Sequence, residues 1–65
     1  MKKQYYKIRG VYYCVYNERV YNYLEIARRW IPIGLSYATA GGLQKNGQPI
    51  TRLDLALIGI SEMKT

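Results

Sequence analysis

The sequence has no histidine and no phenylalanine, a single cysteine, two prolines, and only four acidic residues against ten lysines and arginines. Each shortage excludes something. Without histidine there is no Ser–His–Asp or Cys–His pair to activate a nucleophile. A lone cysteine forbids an internal disulfide, and no recognisable set of four zinc ligands exists. Gly41–Gly42 and Gly47 lack the Lys–Ser/Thr ending of a phosphate loop. No apolar run approaches a membrane span, and the Lys-rich start leads into no signal-peptide core. The expectation is a soluble, intracellular binding protein, not an enzyme, with no cofactor, no metal and no membrane partner.

What is present is apolar, aromatic and basic. Sixty-five residues allow one domain, and the 49 % hydrophobic content supports a real core. Residues 1–30 hold seven cations (Lys2, Lys3, Lys7, Arg9, Arg19, Arg28, Arg29) against Glu18 and Glu25. Residues 31–65 are nearly neutral, with Lys45, Arg52 and Lys64 against Asp54 and Glu62. A basic half beside a neutral half suits a polyanion, although net charge also keeps a small apolar domain soluble. A small core is often reinforced by a partner, which leaves a homodimer open.

Residues 1–21 have strand character: Tyr, Val and Ile dominate without a helical stripe. Gly10 separates two strands. Val11, Tyr13 and Val15 share one face of the second, and Tyr12, Cys14 and Tyr16 the other. Asn17–Glu18 is placed to reverse the chain, although Glu resists the positive φ that such a turn requires. Asn22 then resembles a helix N-cap with Glu25 as its capping-box carboxylate, and Pro32 would end that helix. A second helix is expected from Ser36, ending at Asn46–Gly47. Its Gly41–Gly42 pair would signal either fraying or a close backbone approach. Thr51 and Asp54 open a third element, 51–60, read as a short helix with Leu53, Leu57 and Ile60 inward or else as a strand. Residues 61–65 are expected to fray. The fold class is α+β: an N-terminal antiparallel β-hairpin or three-stranded sheet, followed by two or three short helices in one domain.

Residues 22–47 are the functional focus. Tyr21, Glu25, Ile26, Ala27 and Arg28, then Leu43, Lys45, Gly47 and Ile50, resemble the helix–turn–helix modules of small phage regulators and of DNA-binding pieces attached to intron-encoded endonucleases. The match covers about residues 20–50. It departs from the pattern in its turn, where Gly34 comes later than usual. The resemblance implies duplex DNA as partner, a regulator of phage or mobile-element type, and a second helix entering the major groove. Ser36, Tyr37, Thr39, Ala40 and Gln44 would then lie near base edges. Arg28, Arg29 and Lys45 would hold phosphates, with Lys7 and Arg9 as further candidates.

The eight tyrosines form the second constellation. Rings with hydroxyls suit half-wet surfaces. Tyr5, Lys7 and Arg9 alternate along one strand, an arrangement that fits base stacking or the outside of a stable hairpin. Tyr5, Tyr12 and Tyr16 are also candidates for an interface with a host protein, as in an inhibitor that docks through its tyrosine face. Cys14 and Trp30 read as core.

Overall fold

The structure is a computed structural model that describes residues 2–33 and 37–64, with the backbone alone for 37–40. The expected α+β architecture is what the chain adopts, with a larger sheet. Five strands, β1 (Gln4–Ile8), β2 (Val11–Tyr16), β3 (Arg19–Leu24), β4 (Arg29–Pro32) and β5 (Gln48–Ile50), form one antiparallel sheet in the order β4-β3-β2-β1-β5. Helix α1 (Tyr37–Asn46) precedes β5, and α2 (Arg52–Leu57) follows it.

Two tight hairpins begin the sheet. Ile8 pairs with Val11 around Arg9–Gly10, whose φ values are 50° and 79°. Tyr16 pairs with Arg19 around Asn17–Glu18, at 52° and 61°. Left-handed geometry at both central residues matches the twist of the flanking strands, so the turns close without splaying them. Glu18 adopts that geometry despite its Cβ, at a cost of roughly 1–2 kcal/mol.

The third hairpin corrects the expectation for residues 22–31. No helix forms there: Leu24 pairs with Arg29 around a four-residue turn, 25–28. Asn22 and Glu25 carry a local capping signal worth about 1 kcal/mol. Strand geometry instead lets Val20 bury completely on one face while Tyr21, Tyr23 and Trp30 pack on the other. Burying one such side chain is worth about 1.5–3 kcal/mol, so packing outweighs the cap. The helix–turn–helix geometry expected of residues 22–47 is therefore absent from the described residues.

Each face of the sheet has its own cover. On one, Tyr6 and Val20 pack with Leu43 of α1, joined by Ile8, Tyr13, Val15 and Ile33. On the other, Tyr5 and Cys14 pack with Leu55, Ile60 and Met63. The alternation expected for β2 is thus observed, with Cys14 fully buried.

Gly47 joins α1 to β5. Its N–H closes the helix on the Leu43 carbonyl at 2.7 Å. A Cβ there would lie 2.6 Å from that oxygen and 3.1 Å from Tyr6 Cβ, so only glycine fits. Close approach, anticipated at Gly41–Gly42, occurs at Gly47 instead; a Cβ on either of the pair would meet nothing within 4 Å.

The 51–60 element is a helix with the expected start. Thr51 Oγ1 accepts from the Asp54 N–H at 3.1 Å, and the Thr51 N–H donates to Asp54 Oδ2 at 2.9 Å. Hydrogen bonding from the Thr51 backbone N–H, and to a lesser degree from its side chain, holds the Asp54 carboxyl below its ordinary range. The helix ends in a Schellman motif: Gly59 at φ 81°, its N–H on Ala56 O, and the Ile60 N–H on Leu55 O. Its inward residue is Leu55, while Leu53 and Leu57 point outward, which reverses part of the expected face. Residues 61–64 do not fray. The Trp30 indole donates to the Ser61 carbonyl at 2.8 Å, the Met63 N–H donates to Tyr5 Oη at 3.1 Å, and Met63 is buried.

Candidate functional site

Antiparallel topology collects cations at one end of the sheet. Because β1 and β3 run in the same direction, the 9–10 and 25–28 turns emerge side by side. Two strand spacings, about 10 Å, separate them. Arg9, Arg28 and Arg29 are exposed there. Arg9 and Arg28 occupy left-handed positions, at φ 50° and 54°. Ile26, in the second turn, is fully exposed. Lys7 lies two residues before the 9–10 pair, its Nζ 5.3 Å from the centre of the Tyr12 ring.

Among the described residues the one ion pair joins Arg52 and Glu62, at 3.7 Å and at the opposite end of the sheet. Among the described residues the turn-end arginines have no carboxylate within ion-pair distance, and Glu25 is the one acidic residue on their turns. An anion approaching that end would meet exposed guanidinium groups on two neighbouring turns.

The remaining expected contacts disperse. Lys45 lies in the last turn of α1 and is exposed. Arg28 and Arg29 stand at the start of β4, whereas the chain reaches α1 only after β4 has run to its other end. The arginines therefore belong to a hairpin and not to a first helix packed against α1. Ser36 lies outside the described residues. Tyr37 and Thr39 are on the first turn of α1, with backbone alone described. Gln44 points at β1, its Nε2 donating to Gln4 Oε1 at 3.3 Å.

The tyrosine face is mostly covered. Tyr5, expected at an interface, is 3 % exposed beneath the C-terminal segment, and burial raises its hydroxyl pKa. Tyr12 and Tyr16 are half-buried, each beneath a lysine, Lys7 and Lys3 respectively. Arg9 does not continue the Tyr5–Lys7 face, because it belongs to the turn.

Sequence reading missed a groove of about 700 Å³ at the opposite end, whose lining includes Lys2, Lys3, Tyr16, Thr51, Arg52 and Glu62. It exists because Ile50 pairs with Tyr5, bringing residue 52 beside residues 2 and 3. No local pattern signals a pairing across such a separation. Among the described residues no three His, Cys, Asp or Glu side chains gather to hold a metal, and no helix is long and apolar enough to cross a membrane. No protein-family model matches this chain, and neither does any curated protein or solved structure.

Proposed function

We propose that this chain is a nucleic-acid-binding module that holds duplex DNA by its phosphates, through the turn end of the sheet. The observation that carries the reading is the placement of Arg9 and Arg28 on neighbouring turns with Arg29 at the start of β4, all exposed and, among the described residues, without a carboxylate partner. Lys7 adds a cation on the Tyr12 face of β1. Phosphate contact supplies affinity and register rather than base identity. Ile26 adds an apolar tip of the kind that minor-groove binders press against base steps. For the protein-docking alternative, Tyr5 is buried beneath Leu55, Ile60 and Met63, which leaves the half-buried Tyr12 and Tyr16 as its tyrosine surface.

The test is duplex binding followed by fluorescence anisotropy between about 50 and 200 mM salt, a range over which multi-phosphate contacts weaken steeply. The double variant R28Q/R29Q is expected to bind more weakly and to flatten the log K against log salt slope by about 2. Absence of duplex binding at low salt, or an unchanged slope in the variant, would sink the proposal. Equal binding to anionic vesicles would assign the same cations to a membrane surface instead.

A further inference from the structure

The outer edge of β1 is covered along only part of its length. Ile8 pairs with Val11 across a two-residue turn, so residues 8, 6 and 4 exchange hydrogen bonds with β2. Residues 7, 5 and 3 then turn their N–H and C=O groups the other way, toward β5. Pro49, which has no N–H, sits opposite Tyr6, as this alternation requires. β5 ends at Ile50, opposite Tyr5, and the chain leaves the sheet through Thr51 into α2. No strand faces Lys3 on that side, and among the described residues its N–H and C=O have no backbone partner. The groove of about 700 Å³ lies along this vacated edge. Small-molecule sites span about 300–1,000 Å³.

Charge selects the ligand. Lys2, Lys3 and Arg52 set three cations around the groove against the carboxylate of Glu62. That carboxylate holds Arg52 weakly, since the pair spans 3.7 Å between side chains 76 % and 49 % exposed. Lys3 is better placed, its Nζ 5.5 Å from the centre of the Tyr16 ring. A peptide N–H beside two ammonium groups and a guanidinium suits a phosphate: the amide gives direction and the cations give charge. The Lys3 carbonyl asks in addition for a hydroxyl or amino donor on the same ligand. Tyr16, Pro49 and Ile50 supply apolar wall. A bare phosphate ion leaves that wall uncovered and most of the volume unfilled.

We infer that this groove binds a phosphate ester of nucleotide size. Its phosphate is held by the Lys3 N–H with Lys2, Lys3 and Arg52, and its organic body lies against the apolar wall. The site is at the end of the sheet opposite the arginine turns and is independent of the duplex reading.

Heteronuclear NMR of the isotope-labelled chain, titrated with adenosine monophosphate, adenosine and inorganic phosphate at low salt, tests this. The monophosphate is expected to shift the Lys3 amide saturably, phosphate to bind there more weakly, and adenosine not to bind. K3Q and R52Q are each expected to weaken the monophosphate by about two- to fivefold, the range of an exposed charge contact. E62Q is expected to tighten it, because Arg52 loses its competing carboxylate. R28Q/R29Q removes two charges at the far end and is expected to change nothing, which separates a site from diffuse attraction to a cationic chain. The spectra themselves show that each variant folds. No shift at Lys3, adenosine or phosphate binding as tightly as the monophosphate, or unchanged binding to R52Q would each overturn the inference. So would weaker binding to E62Q, or a loss in R28Q/R29Q equal to that in R52Q.

Discussion

The backbone N–H of Met63 donates to the hydroxyl of Tyr5 at 3.1 Å, tying the last described residues to the first strand. The contact is buried, and Met63 packs in the same cluster as Tyr5, Cys14, Leu55 and Ile60. Y5F keeps the ring and removes the acceptor. It is expected to cost about 1 kcal/mol, with the unpaired N–H adding to the loss of the bond itself. Amide exchange at Met63 should accelerate relative to Leu55, whose N–H is bonded to the Thr51 carbonyl within α2. Unchanged exchange at Met63 would show that this bond does not hold the segment.

Cys14 is fully buried, and burial pushes its thiol from the ordinary 9.0 up to about 11. A group that holds its proton more tightly when folded contributes stability that is fully present below the unfolded value. That contribution is lost as pH rises from 9.0 through about 11. Tyr5 shifts in the same direction, again chiefly through burial, so both groups destabilise the fold in alkali. Denaturant midpoints should fall above pH 9, and a disulfide exchange reagent at pH 8 should modify the native thiol only through unfolding. Rapid modification without denaturant would contradict the burial.

The glycines make opposite predictions at two places. G47A places a methyl against Leu43 O and Tyr6 Cβ, at 2.6 and 3.1 Å, and neither neighbour can move freely. A loss of about 1–3 kcal/mol is expected, as for overpacking in a filled core. G41A and G42A meet open space within α1 and should each stabilise by up to about 1 kcal/mol. Thermal melts of the three variants decide the matter, and a tolerated G47A would refute the close approach.

Glu18 holds φ 61° in a two-residue turn after Asn17. E18G converts this to Asn–Gly, the pair that such a turn favours, and removes the left-handed strain. A gain of about 0.5–1 kcal/mol is expected after allowing for the extra freedom of glycine in the unfolded chain. A lower melting temperature for E18G would mean that the Glu18 side chain stabilises the fold by more than its backbone strain costs.

Legibility in the sequence followed the range of the interactions. The break at Gly10, the 17–18 reversal and the two faces of β2 were readable, because each depends on neighbouring residues. The Thr51–Asp54 box was readable for the same reason, being a side-chain-to-backbone exchange within one turn. Asn22 and Glu25 mimic that box. Here Val20, Tyr23 and Trp30 find partners on strands distant in sequence, and strand geometry prevails. Trp30 illustrates the difficulty: its ring lies 5.4 Å from Tyr5 and 5.2 Å from Tyr23, and its N–H reaches Ser61. Of the candidate site, Arg9, Arg28 and Arg29 were named from charge and resemblance. That they share one end of the molecule follows from hairpin topology, not from the helix pair that suggested two of them.

The sequence by itself determined the local alternatives: alternating strand faces, a break at Gly10 and a tight turn at 17–18, a capped start at Thr51, and a basic half beside a neutral one. Tertiary structure decided among them. It made residues 19–32 a hairpin, added β5 to the edge of β1, turned Leu55 inward rather than Leu53 and Leu57, and seated Met63 against Tyr5. The reason is that caps and turns are satisfied within a few residues, whereas burial depends on what the rest of the chain brings to the same place.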